Sequence, residues 1–268
     1  MAVTIDLIKK LRDMTLAPLG DCKEALVEAD GDLTTAQEIL RKKWAIKADK
    51  KSDRETNAWI VKFSVSSTGL VGVKLLCETD FVAKNDAFSA LVDTLLTDIA
   101  AYTNDIDPDA VPEAFMEALT THLRDQAVTI GENMKIGYVI KKSGNVYAYN
   151  HMGNTIASAV FYDGVTGDIA EQAAKDAALQ VAAMNPYYVS MDTVPADRVA
   201  TLRSEFEAEM ATSGKPADII GKIVDGKISK ALQDDVLLEQ ASIKDQSKKV
   251  KEVLPSWMSI VSMVRVSV

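Results

Sequence analysis

The chain has 268 residues, 47% of them hydrophobic, which is enough for one large core or two modest domains. A net charge of −9 argues against direct nucleic-acid binding, since phosphate contact needs clustered Lys and Arg. Two cysteines without C-x-x-C spacing (Cys22, Cys77) and two histidines (His122, His151) give little support to a zinc site or to histidine catalysis. No secretory leader and no run of about 18 apolar residues is evident, so free thiols, a cytoplasmic setting and no membrane span are expected.

Residues 1–45 read as three short helices. Thr4 can cap the first, with Ile5, Ile8, Leu11 and Met14 on one face. Asp21 is expected to cap the second, which carries Cys22, Ala25 and Leu26. Gly31-Asp32 separates the third, with Leu33, Ala36, Ile39, Leu40 and Trp44. A core of about 45 residues is marginal, and such a module usually docks on something. Leu16, Pro18 and Leu19 are apolar for a two-helix connection. They either close the small core or form an interaction face.

Residues 46–57 are dense in charge without apolar periodicity, as in a solvated linker or an extended helix. Strands are expected at 59–65 and 70–77, then a helix from Phe88 to 101 and another over 112–129. Residues 138–142 are expected to open a second strand group. A hairpin of 146–149 and 155–162 follows, then an Ala-rich helix over 169–184. A hairpin followed by a helix thus occurs twice, implying two related halves. Residues 195–211 and 216–232 carry narrow apolar stripes and read as a projecting antiparallel helical hairpin, and 260–268 as a closing strand. The expected class is α+β. Its parts are a three-helix module (1–45), a linker (46–57), two core subdomains (58–137; 138–194 with 233–268) and a helical insertion (195–232).

Residues 78–86, ETDFVAKND, carry the clearest functional signal. Thr79, Asp80, Asn85 and Asp86 are helix-start residues, so Phe81 falls on a strand-to-helix corner among polar neighbours. On the residues alone, Phe81 either folds back into the core or is offered to a partner. Two other motifs are weak. Residues 221–228, GKIVDGKI, approach a phosphate-binding loop, but Ile228 stands where Ser or Thr should hold magnesium, and the preceding segment reads as helix. His151 with Asp163 or Asp168 lacks a nucleophile.

ETDFVAKND resembles the signature of the elongation factor Ts family. The likeness runs along almost the whole chain, in order. Leu11-Arg12 with Thr15, and Asp21-Cys22-Lys23 with Ala25-Leu26, are similar to the family's amino-terminal signature. Ile130-Gly131-Glu132-Asn133 resembles its central motif. His151 with Gly153 and Ile156 resembles a partner-contacting loop, and Glu239-Gln240 with the segment from Lys244 to Lys248 resembles the carboxy-terminal motif. The resemblance implies a UBA-like three-helix module and a guanine-nucleotide exchange factor for the GTPase elongation factor Tu, without covalent chemistry, cofactor or metal. It implies that Asp80, Phe81 and Val82 enter the partner near its nucleotide and magnesium, and that Arg12, Leu19, His151 and Gly153 dock on either side. The chain itself would bind neither nucleotide nor nucleic acid. Leu16, Lys74, Leu76, Thr155 and Ala157 depart from the usual family residues, with Lys74 expected to retune charge near the main site. A scaffold or chaperone subunit without exchange activity is the alternative.

Overall fold

The structure, a computed structural model, describes residues 3–15, 17–49, 53–211 and 216–267. Leu16 and the turn at 212–215 lie outside the described residues. The chain divides into two compact units, one of residues 1–64, 71–142 and 153–155, the other of 65–70, 143–152 and 156–268.

In the first unit, α1 (Ile5–Thr15), α2 (Leu19–Glu28) and α3 (Leu33–Asp49) form the amino-terminal module. Leu11, Cys22, Ala25, Leu26, Ala36 and Leu40 are fully buried between them. The Thr4 hydroxyl accepts from the Leu7 amide (3.3 Å), and the Asp32 carboxylate accepts from Thr35 (2.7 Å), so both residues start helices. Asp21 is not the cap of α2. Pro18, at φ −54°, precedes the first turn and the helix begins at Leu19. A proline needs no amide partner there and presets the backbone angle, which outweighs a carboxylate cap three residues on. α3 continues to Asp49 and lies beside α6 (Glu113–Ile130), so the charged run opens as helix.

The first sheet has the order β1 (Ala58–Ser66), β2 (Gly69–Cys77), β3 (Met134–Ser143). A two-residue connection makes β1 and β2 a hairpin. Every residue of β2 except Lys74 and Leu76 is buried. After β2 come α4 (Asp80–Ala83) and α5 (Asp86–Ala101), whose Phe88, Leu91, Val92, Leu95, Leu96 and Ile99 recur at helical spacing and are buried in this core. Residues 138–142 do not open the second strand group: they belong to β3 and complete the first sheet. Local alternation marks a strand but carries no information about which edge it joins.

The second unit repeats the plan. β4 (Val146–Asn150) and β5 (Ala157–Asp163) form an antiparallel hairpin. α7 (Asp168–Met184) then packs Ala170, Ala174, Ala177, Ala178 and Val181 on the sheet. The last strand, β6 (Ser259–Val266), pairs antiparallel with β5. In both sheets, therefore, a hairpin is followed by helix and a later strand pairs with the hairpin's second strand. α8 (Ala196–Met210) and α9 (Ala217–Ala231) share a narrow core of Leu202, Val224 and Ile228, flanked by Phe206 and Ile220. Arg203–Asp225 (2.7 Å) and Lys227–Glu209 (2.5 Å) pair charges across it. Residues 221–228 lie inside α9, so the near-match to a phosphate loop is continuous helix. A short helix, α10 (Val250–Val253), precedes β6.

Candidate functional site

The corner after β2 uses both of its helix-start signals. Thr79 is extended (φ −125°, ψ 154°) and its hydroxyl accepts from the Val82 amide at 3.4 Å, starting α4. Asn85 then accepts from the Ala87 amide at 2.8 Å and starts α5. Two caps six residues apart force two helices with a break at Lys84, and that break turns α4 outward.

Four residues at about 100° each point to four different directions. Val82 and Ala83 are partly buried against the first core. Phe81 points the other way and is 83% exposed. It does not fold back into the core. Asp80 is exposed too, and Lys84 Nζ donates to its Oδ2 at 2.7 Å, one turn on. That hydrogen bond and the lysine charge hold the Asp80 carboxyl below its usual range. The corner thus presents an aromatic ring and a fixed carboxylate, with Val82 as its foot rather than its tip.

The corner is tied from behind. Thr79 N–H donates to Glu132 Oε2 (3.0 Å), and the Thr79 hydroxyl donates to Glu132 Oε1 (2.6 Å). In return, the Asn133 amide donates to Glu78 Oε1 at 2.7 Å. Asn133 is buried, and its side chain donates to the Arg54 carbonyl at 2.8 Å, while the Arg54 guanidinium lies 3.5 Å from Glu78. Gly131, at φ +82°, ends α6 in a left-handed turn that a side chain would strain, and so aims Glu132 at the corner. Just beneath, Cys77 is buried and its thiol is pushed up to about 11, first by desolvation and then by the nearby Glu132 charge.

The remaining expected site residues fall elsewhere. Arg12 is exposed on α1, and Leu19 is 51% exposed at the start of α2. His151 follows β4; its amide donates to the Ile156 carbonyl (2.8 Å) and its Nδ1 lies 3.0 Å from the Tyr149 hydroxyl. Gly153 has φ +78°, as the tight turn of Met152–Asn154 demands. Met152 is 86% exposed at that tip. The sequence reading passed over it, because a lone methionine in a turn carries no pattern. It also missed Lys84 and the role of Glu132, which lies far from Thr79 along the chain. Of the departures, Lys74 Nζ stands 4.9 Å from the centre of the Trp59 ring, and burial lowers its affinity for a proton. The Thr155 carbonyl accepts from Trp59 Nε1 at 3.2 Å. Ala157 is buried at the start of β5. Both cysteines are free and buried, and no group of three or more potential metal ligands occurs among the described residues.

Comparison with known proteins decides the family. The family model described as elongation factor TS matches residues 78–268. The chain belongs to the elongation factor Ts family. It is 36% identical to elongation factor Ts of Hydrogenobaculum sp. (strain Y04AAS1), over 94% of this chain and 93% of that protein. It is 38% identical to the protein of Janthinobacterium sp. (strain Marseille), over 97% and 88%, and 39% identical to that of Cupriavidus metallidurans, over 94% and 86%. Family membership makes the chain a translation elongation factor. No helix of the described residues is long and apolar enough to cross a membrane.

Proposed function

We propose that this chain is the guanine-nucleotide exchange factor of elongation factor Tu, binding the GDP-bound GTPase and promoting GDP release in the cytoplasm. The observation that carries the reading is Phe81, 83% exposed on a corner whose backbone is capped and tied from behind. Water gains nothing from an ordered aromatic ring, whereas a partner pocket gains the burial of its whole surface.

The mechanism is linkage. Factor and GDP each weaken the other's binding to the GTPase by the same factor, and exchange follows where that weakening falls on the release step. Phe81 wedges beside the nucleotide and magnesium, and Asp80 brings a carboxylate that stays charged at neutral pH. To engage the partner, Asp80 exchanges its Lys84 partner for groups on the GTPase. Val82 holds the wedge to the core. The amino-terminal module docks through Arg12 and Leu19, and the turn after β4 docks through His151 and Gly153. No bond is made or broken and no cofactor is used.

The test is release of a fluorescent GDP analogue from elongation factor Tu, with and without the chain. Acceleration that saturates with factor supports the reading. Binding without acceleration refutes exchange and leaves a scaffold.

A further inference from the structure

We propose that Glu132 is a positioning residue for exchange: through Thr79 it sets the direction in which Phe81 is presented. The inference rests on the exchange reading of Phe81.

α4 has four residues, too few to hold a helix on propensity alone. Its orientation therefore depends on what grips its first turn as well as on the packing of Val82 and Ala83. Thr79 is that grip, and it is held by two donors to a single carboxylate, its amide to Oε2 (3.0 Å) and its hydroxyl to Oε1 (2.6 Å). A hydroxyl has one proton and two lone pairs. With its proton committed to Glu132, the Thr79 oxygen can only accept on its other side, where the Val82 amide lies at 3.4 Å. Glu132 thus fixes the hydroxyl rotor, the rotor caps α4, and α4 carries Phe81. The carboxylate accepts from both Thr79 groups at once, and so takes up the hydroxyl proton as well as the amide. A glutamine could still accept from the Thr79 amide and donate to the hydroxyl oxygen, so the discriminating variant removes the side-chain oxygens altogether.

The opposite tie, Asn133 amide to Glu78 Oε1 at 2.7 Å, joins the ends of β2 and β3. It holds the two loops together without touching α4. The two carboxylates therefore divide the work, Glu78 joining the loops and Glu132 aiming the corner.

The full-length chain is tested as Glu132→Ala, Thr79→Val, Thr79→Ser and Phe81→Ala. Amide hydrogen exchange is read over residues 78–86, with β1 as internal reference. GDP release from the partner GTPase is read as maximal rate and as half-saturating factor concentration. Glu132→Ala should speed exchange of the Thr79 and Val82 amides about tenfold, and Thr79→Val that of the Val82 amide, as expected for loss of one or two hydrogen bonds, with β1 unchanged. Their maximal release rate should fall about tenfold while half-saturation stays within about twofold, the pattern of a group acting after docking. Thr79→Ser keeps the hydroxyl and should behave as wild type. Wild-type protection of Thr79 and Val82 in Glu132→Ala overturns the inference. So does normal maximal release by Glu132→Ala when Phe81→Ala is impaired, and that result leaves the Phe81 reading standing. Normal release by Phe81→Ala overturns the Phe81 reading and this inference together.

Discussion

Truncating Phe81 to Ala separates a partner-facing ring from a structural one, because the two roles predict opposite balances of stability and activity. A phenylalanine truncated in a packed core costs about 3–5 kcal/mol. Phe81 is 83% exposed. Of the roughly 200 Å2 such a side chain can bury, only about 35 Å2 is covered, worth about 1 kcal/mol at 25 cal/mol per Å2. In a chain of this size that lowers the melting temperature by no more than about 4 °C. An aromatic anchor buried at an interface is worth about 2 kcal/mol or more, which is about a 30-fold loss in exchange efficiency. The assay is one melt of the free variant, then stopped-flow release of labelled GDP from elongation factor Tu across factor concentrations. A drop of 10 °C or more with near-normal release would refute the reasoning and return Phe81 to the fold.

Three further outcomes are expected. Deleting residues 1–52 should weaken binding to the GTPase while a single cooperative melt persists, a few degrees lower because α3 no longer covers α6; loss of the cooperative transition would make the module part of the core. Glu239 is 12% exposed and accepts from Lys249 (2.7 Å) and Lys251 (2.6 Å), which hold its carboxyl below the usual range. Its stabilisation is present above the unfolded value near 4.3 and is lost as pH falls through the lower folded value. Glu239→Gln should therefore cost about 1–2 kcal/mol at pH 7, discounted for the half-exposed lysines, and progressively less towards pH 3.5 in urea unfolding; a gap independent of pH would contradict this. Finally, with its thiol pushed up to about 11, Cys77 should alkylate at pH 8 at least about 100-fold more slowly in the folded chain than in guanidinium, read by peptide mapping; equal rates would mean that the corner opens freely.

Periodicity found the elements whose faces are buried. The i, i+3, i+4 spacing of α5 and the near-continuous apolar run of β2 each announce one dominant environment, so sequence and structure agree there. Where two local signals compete, sequence and structure part. Pro18 and Asp21 both start helices, and the proline prevailed. Residues 138–142 looked like a strand and are one, but strand partnership is a long-range property, and β3 joined the first sheet. At the corner, the helix-start residues 79, 80, 85 and 86 were legible as a cluster. That Thr79 and Asn85 would start two separate helices, leaving Phe81 outside, depended on how Val82 and Ala83 pack on the core.

The least legible part of the site is also the part that decides its aim. Nothing in the spacing of Thr79 and Glu132 suggests that they meet, since they lie at the ends of different elements. They meet because β2 and β3 are sheet neighbours, so the exit of one strand lies beside the entrance of the other. The buried strand beneath also allows an exposed phenylalanine to be kept on a four-residue helix. Its fold stability comes from the buried strand below and from Val82 and Ala83, not from the ring. In the proposed exchange role the ring is then free to bury its whole surface on a partner, aimed by a carboxylate from elsewhere in the chain. With what holds the corner separated from what it presents, substitutions at Phe81 are expected to change exchange while the fold persists, and substitutions at Glu132 to change the aim while the ring remains.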